Sequence, residues 1–113
     1  MSWRAGGIRP WIVQRLSAVA MAIILCAFTL SVAMSAPENF QDWQDFIGGS
    51  IWNTAIILFW VSLFVHAWVG IRDVIMDYIH HDGLRFTILA FFAFFLISMT
   101  IWMLKIMILA VNL

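Results

Sequence analysis

Charged residues are missing from three long stretches of this chain. Leu16 to Pro37, Phe46 to Ile71 and Phe86 to Leu104 contain no Asp, Glu, Lys or Arg. Each can hold the roughly 20 residues that an α-helix needs to cross about 30 Å of hydrocarbon. Helices are required because they satisfy their own backbone groups in lipid, and three strands could not close a barrel. The pattern therefore predicts three transmembrane helices near residues 16–35, 51–71 and 86–108, in one membrane domain over 1–113. Between the first two, Phe40, Trp43 and Phe46 recur at i, i+3, i+6 in an otherwise polar segment. That spacing predicts a short amphipathic helix on the membrane surface, ended at Gly48-Gly49. A lid or docking surface is the other reading of the same aromatics.

Composition sharpens this picture. The 113 residues are 65% hydrophobic and 11% charged, against about 45–50% and about 25% in soluble domains. A soluble monomer of this size could not hide so much apolar surface. Six basic and six acidic residues cancel, which leaves no electrostatic footing for nucleic acid. One cysteine, Cys26, excludes an internal disulfide and a cysteine metal cage.

The distribution of charge sets an orientation. Arg4, Arg9 and Arg15 precede the first span, and Arg72 and Arg85 flank the second connection, whereas the first connection carries Glu38, Asp42 and Asp45. The positive-inside rule then places the N-terminus and the Arg72–Arg85 loop in the cytoplasm and the C-terminus outside. Lys105 is the misfit and is expected to snorkel toward the outer surface. Residues 1–36 also begin like a signal peptide. Their apolar run exceeds the usual 7–15 residues, however, and Met34-Ser35-Ala36 is a poor cleavage site, so they are read as the first span. Trp3, Trp11, Trp52 and Trp102 suit interfacial aromatic belts.

His66 is the one ionisable residue within the second span. At 100° per residue, Phe59, Ser62, Gly70, Asp73 and Asp77 lie close to its direction, and apart from Phe59 they are small or polar. Lipid penalises such a stripe, so it should face protein or a ligand. A neutral imidazole is a strong ligand for haem iron, and Gly70 would let a flat macrocycle lie close to the helix. A histidine hydrogen-bonded to a neighbouring helix, with Gly70 serving close packing, explains the same residues. On the first helix, Arg15, Ala18, Ala22, Cys26 and Thr29 form a side without bulky apolar residues, which favours approach of another helix. Arg15 could hold a carboxylate or phosphate there, or simply snorkel and set orientation.

Asp77-Tyr78 follows His66 by eleven and twelve residues. If the helix continues past Arg72, Asp77 lies about 16 Å further along the same face. A phenol can donate to a ligand carbonyl, and a neighbouring carboxylate can orient it or relay protons. An interfacial tyrosine beside a helix-terminal aspartate is the plainer reading. His80-His81-Asp82 invites a metal, but adjacent helical residues do not share a ligand face, and before Gly83 they read as a solvated turn.

Together, His66-Ala67-Trp68-Val69-Gly70, Asp77-Tyr78 and Leu84-Arg85 before the third span resemble the small hydrophobic membrane-anchor subunit of succinate dehydrogenase. This is the D-chain, or cytochrome b subunit, of bacterial respiratory complex II. The resemblance covers nearly the whole chain. It implies an all-α anchor that pairs with a second three-helix subunit, the C-chain, to sandwich one haem b. His66 would be one axial ligand, and Arg15 would lie near the haem propionates. Tyr78 would hydrogen-bond a ubiquinone carbonyl, with Asp77 beside it. The resemblance further implies an iron–sulfur subunit and a flavoprotein subunit as partners, and the bacterial inner membrane as location. His80-His81-Asp82 departs from the more basic, proline-containing stretch that the family leads one to expect.

Two other readings stay open at this level. A haem-free structural anchor would use His66 only to pin helices. A small transporter would need a charged residue mid-span for its coupling ion, and the predicted spans hold no Asp or Glu. The chain has no flavin fingerprint, no cysteine ladder for clusters and no dicarboxylate site, so it is read as a non-catalytic subunit.

Overall fold

The computed structural model describes residues 8–111, so Trp3 and Arg4 lie outside the described residues. Four helices follow in order: α1 (Ile8–Ser35), α2 (Phe40–Gly48), α3 (Ser50–Tyr78) and α4 (Asp82–Ala110). There is no strand among the described residues. α1, α3 and α4 are each long and apolar enough to cross a membrane, as the charge-free stretches predict. The chain is a multi-pass membrane protein.

The long helices overrun the charge-free stretches, because charge limits burial in hydrocarbon and does not stop a helix. Within the described residues α1 already runs from Ile8, eight residues before the predicted span, and takes in Arg9 and Pro10. α1 stops where Ala36 turns left-handed, with φ 47°, ahead of Pro37. α3 runs unbroken through Arg72 to Tyr78, which meets the condition for Asp77 to share the helix of His66. At 1.5 Å per residue such helices reach about 43 Å, enough for the hydrocarbon and both headgroup layers.

The short helix between the first two spans forms as the aromatic spacing predicts, ending at Gly48. Asn39 caps it by accepting from the Asp42 N–H at 2.9 Å, and Asp42 in turn accepts from the Glu38 N–H at 3.1 Å. The first bond satisfies a first-turn amide that would otherwise be orphaned, and the second ties the residue before the cap to the helix. Phe46 of α2 stacks on Trp52 of α3 at 5.8 Å between centroids, and Phe28 of α1 meets both rings edge-on. An aromatic knot thus closes one end of the bundle.

Little else is buried. Among the described residues, Ile75 and Met107 are the buried apolar side chains, and Ser17 and Asn53 the buried polar ones. Polar contacts therefore register the helices, as expected where lipid removes the hydrophobic drive between them. Asn53 Nδ2 donates to the Met107 carbonyl at 3.0 Å, and Trp60 Nε1 donates to Thr100 Oγ1 at 2.8 Å, joining α3 to α4. Ser17 Oγ lies 3.1 Å from His66 Nδ1, joining α1 to α3. The small-residue side of α1 is not what packs on α3: Arg15, Ala22, Cys26 and Thr29 are exposed. The contact runs through the face bearing Ser17.

Candidate functional site

The site begins with the antiparallel packing of α1 on α3. It brings Gln14 and Ser17, one turn apart, beside His66, Ala67 and Gly70. An open groove of about 480 Å³ runs from Gln14 and His66 past Ala67, Gly70, Ile71 and Val74 to Ile75, with Phe92 of α4 on its far side. The volume lies within the range of small-molecule sites. Except for Gln14 and His66, its walls are apolar or bare.

The candidate residues take different places around this groove. His66 is half-buried at its head. Gly70 lines the wall, and its missing side chain also admits Gln14: a Cβ there would stand 3.1 Å from Gln14 Nε2. The glycine thus serves the close packing of α1 on α3 and lies in the groove wall. Gln14 Oε1 is buried without a hydrogen-bond partner. Arg15 is exposed, with its guanidinium carbon 5.2 Å from the centre of the Trp11 ring. That cation–π arrangement suits an interfacial arginine.

Asp77 and Tyr78 form the last turn of α3, below the Ile75 end of the groove, and Tyr78 is 79% exposed. What holds this turn is Arg85. Its Nε donates to the Ile79 carbonyl at 2.7 Å, and its Nη2 donates to the Met76 carbonyl at 2.9 Å. These are carbonyls that the helix end would otherwise leave without partners. The connection to α4 is only residues 79–81. His81 ends it by accepting the Leu84 N–H on Nδ1 at 3.1 Å, as the N-cap of α4. A Cβ at Gly83 would crowd that ring at 3.2 Å. The solvated turn read at His80-His81-Asp82 is therefore a capping turn that opens a helix at Asp82.

Sequence reasoning missed Gln14 and Ser17 as site residues, and saw in Arg85 an orientation signal and part of the family motif, not a partner for the α3 terminus. Their signal was faint: two polar residues at i, i+3 opening an otherwise apolar helix. Which face of α1 meets α3 cannot be told from an almost uniformly apolar pattern.

Three apolar crossings, a groove headed by a histidine and a polar turn at one helix end define a multi-pass membrane subunit with an open groove between its helices. Residues 2–101 match the model of the succinate dehydrogenase/fumarate reductase transmembrane subunit family, and the chain belongs to that family. Among curated proteins it is similar to the succinate dehydrogenase hydrophobic membrane anchor subunit of Coxiella burnetii (strain RSA 493 / Nine Mile phase I). The two are 22% identical over 96 residues, covering 85% of this chain and 84% of the relative. The resemblance read from His66 to Arg85 is borne out at the level of the family. The chain is a membrane-anchor subunit, and its part in the complex is non-catalytic.

Proposed function

We propose that this chain anchors a succinate:ubiquinone oxidoreductase, supplies one axial ligand to a shared haem b and forms part of the ubiquinone-reducing site. The observation that carries the reading is the groove itself, which leads from an imidazole down one face of α3 toward a carboxylate–phenol turn. Its open side calls for a second wall, which a C-chain anchor subunit would provide. The half-buried imidazole, the apolar walls and the low stretch at Ala67 and Gly70 fit a flat macrocycle. His66 would hold the iron, and Arg15 would serve the propionates from the interface. When bound, haem b supplies a one-electron redox centre.

Tyr78 donates its phenolic hydrogen to a quinone carbonyl, and Asp77 orients that phenol and takes part in proton supply. Arg85 fixes the backbone beneath both. By the arginine distribution this end faces the cytoplasm, where an iron–sulfur subunit and a flavoprotein subunit would dock, in the bacterial inner membrane. In the complex purified with its partners, His66→Ala is expected to abolish the reduced b-type absorbance. Tyr78→Phe is expected to lower quinone reduction about tenfold, measured relative to succinate–dye activity in the same sample, for the loss of one hydrogen bond. Unchanged quinone reduction would remove Tyr78 from the site.

One observation favours a second reading. His66 Nδ1 already touches Ser17 Oγ at 3.1 Å, as a haem-free anchor that used the histidine to pin helices would require. An assembled, active complex without a b-type spectrum would select it.

A further inference from the structure

Ser17 Oγ has two polar neighbours. It lies 3.1 Å from the carbonyl of Gln14, one turn back on α1, and 3.1 Å from His66 Nδ1 across the helix interface. A hydroxyl carries one hydrogen. A carbonyl can only accept, so making both bonds sends that hydrogen to Gln14 and leaves an oxygen lone pair facing the ring. Nδ1 must then be the protonated nitrogen. Ser17 is 8% exposed, so no bulk water is at hand to take over either bond. The reverse arrangement leaves the Gln14 contact unmade and puts the ring hydrogen on Nε2, where it would block ligation.

Resting on the haem reading above, we propose that Ser17 is a positioning residue for His66. It fixes the imidazole as the Nδ1–H tautomer and leaves the Nε2 lone pair as its sole basic site, on the side of the ring away from α1. The contact that could have argued for a mere helix pin is then the outer hydrogen bond that metal-bound histidines ordinarily make to set tautomer and ring angle. An acceptor on Nδ1–H also makes the ring a stronger electron donor. That favours ferric over ferrous iron and so lowers the midpoint potential.

The test uses the assembled complex in mild detergent. It reads the midpoint potential of the b-type band and the transfer of haem to an excess of apomyoglobin. Ser17→Ala is expected to shift the potential upward and to weaken haem retention by about 10- to 100-fold, the usual effect of losing such a partner. Ser17→Cys, close in size but a poor acceptor, should move both readouts the same way and decides the matter should the alanine variant not assemble. Ser17→Thr restores the oxygen and should match wild type on both. A helix spacer alone would not move the potential with the acceptor strength of the side chain. Wild-type potential and retention in Ser17→Ala or Ser17→Cys, while His66→Ala loses the band, overturns the role of Ser17 alone. A wild-type band in His66→Ala overturns the haem reading beneath it.

Discussion

At the α2 end of the bundle, Phe28, Phe46 and Trp52 hold three helices together through ring contacts at 5.6–5.8 Å. At the other end, α3 and α4 are joined by two guanidinium hydrogen bonds from Arg85, and α1 meets α3 through Ser17 and His66. Ring contacts tolerate offsets and tilts at modest cost, so the ring cluster needs little beyond bulk of the right kind, with one buried bond, Asn53 to the Met107 carbonyl, beside it. Hydrogen bonds fail within a few tenths of an ångström and a few tens of degrees. Groups that need a fixed geometry are best placed at the second end, and there the histidine, carboxylate and phenol lie. The aromatic end is held mainly by ring packing; the other end is held mainly by hydrogen bonds.

The sharpest way to break this contrast is Arg85→Ala. Loss of two charged hydrogen bonds to the α3 terminus is expected to cost about 2–3 kcal/mol, seen as a lower thermal midpoint of the complex, and to weaken quinone binding if Tyr78 holds quinone as proposed. Arg85→Lys should recover only part of this, since an ammonium lacks the fork that reaches two carbonyls. Phe46→Leu, at the aromatic end, is expected to cost about 1 kcal/mol and to leave quinone binding unmoved. Should it disturb quinone reduction as much as Arg85→Ala does, the division between the ends is wrong. Asn53→Leu removes a bond between α3 and α4 and is expected to lower stability by about 0.6 kcal/mol, the average for interhelical bonds in membranes. Smallest is Ala36→Gly. It relieves a left-handed residue at some cost in chain entropy, and the net gain in stability is expected to be about 0.5 kcal/mol.

The two ends also differ in how legible they are in sequence. Phe40, Trp43 and Phe46 announce α2 because an amphipathic period stands out against polar neighbours. The three crossings are equally plain, since the missing charges mark them. Helix ends were less so: α1 is already helical at Ile8 and α3 continues to Tyr78, beyond the apolar limit, because hydropathy reports the bilayer and not the helix. His66, Asp77 and Tyr78 could be placed on one helix by counting. Ser17 could not be paired with His66, nor Arg85 with the α3 carbonyls, because those pairings depend on how helices rotate against one another. Spans that are apolar all round carry no periodic signal for rotation.

Many large apolar side chains of α1 and α4 are exposed, and among the described residues only Ile75 and Met107 are buried apolar ones. On such a surface one aliphatic residue serves lipid as well as the next, so drift there is almost free of consequence. Two anchors of this kind can agree at little more than a fifth of their aligned positions. Resistance to substitution in this chain should therefore concentrate at its rare polar atoms, a pattern that saturation mutagenesis scored by growth on succinate would display directly.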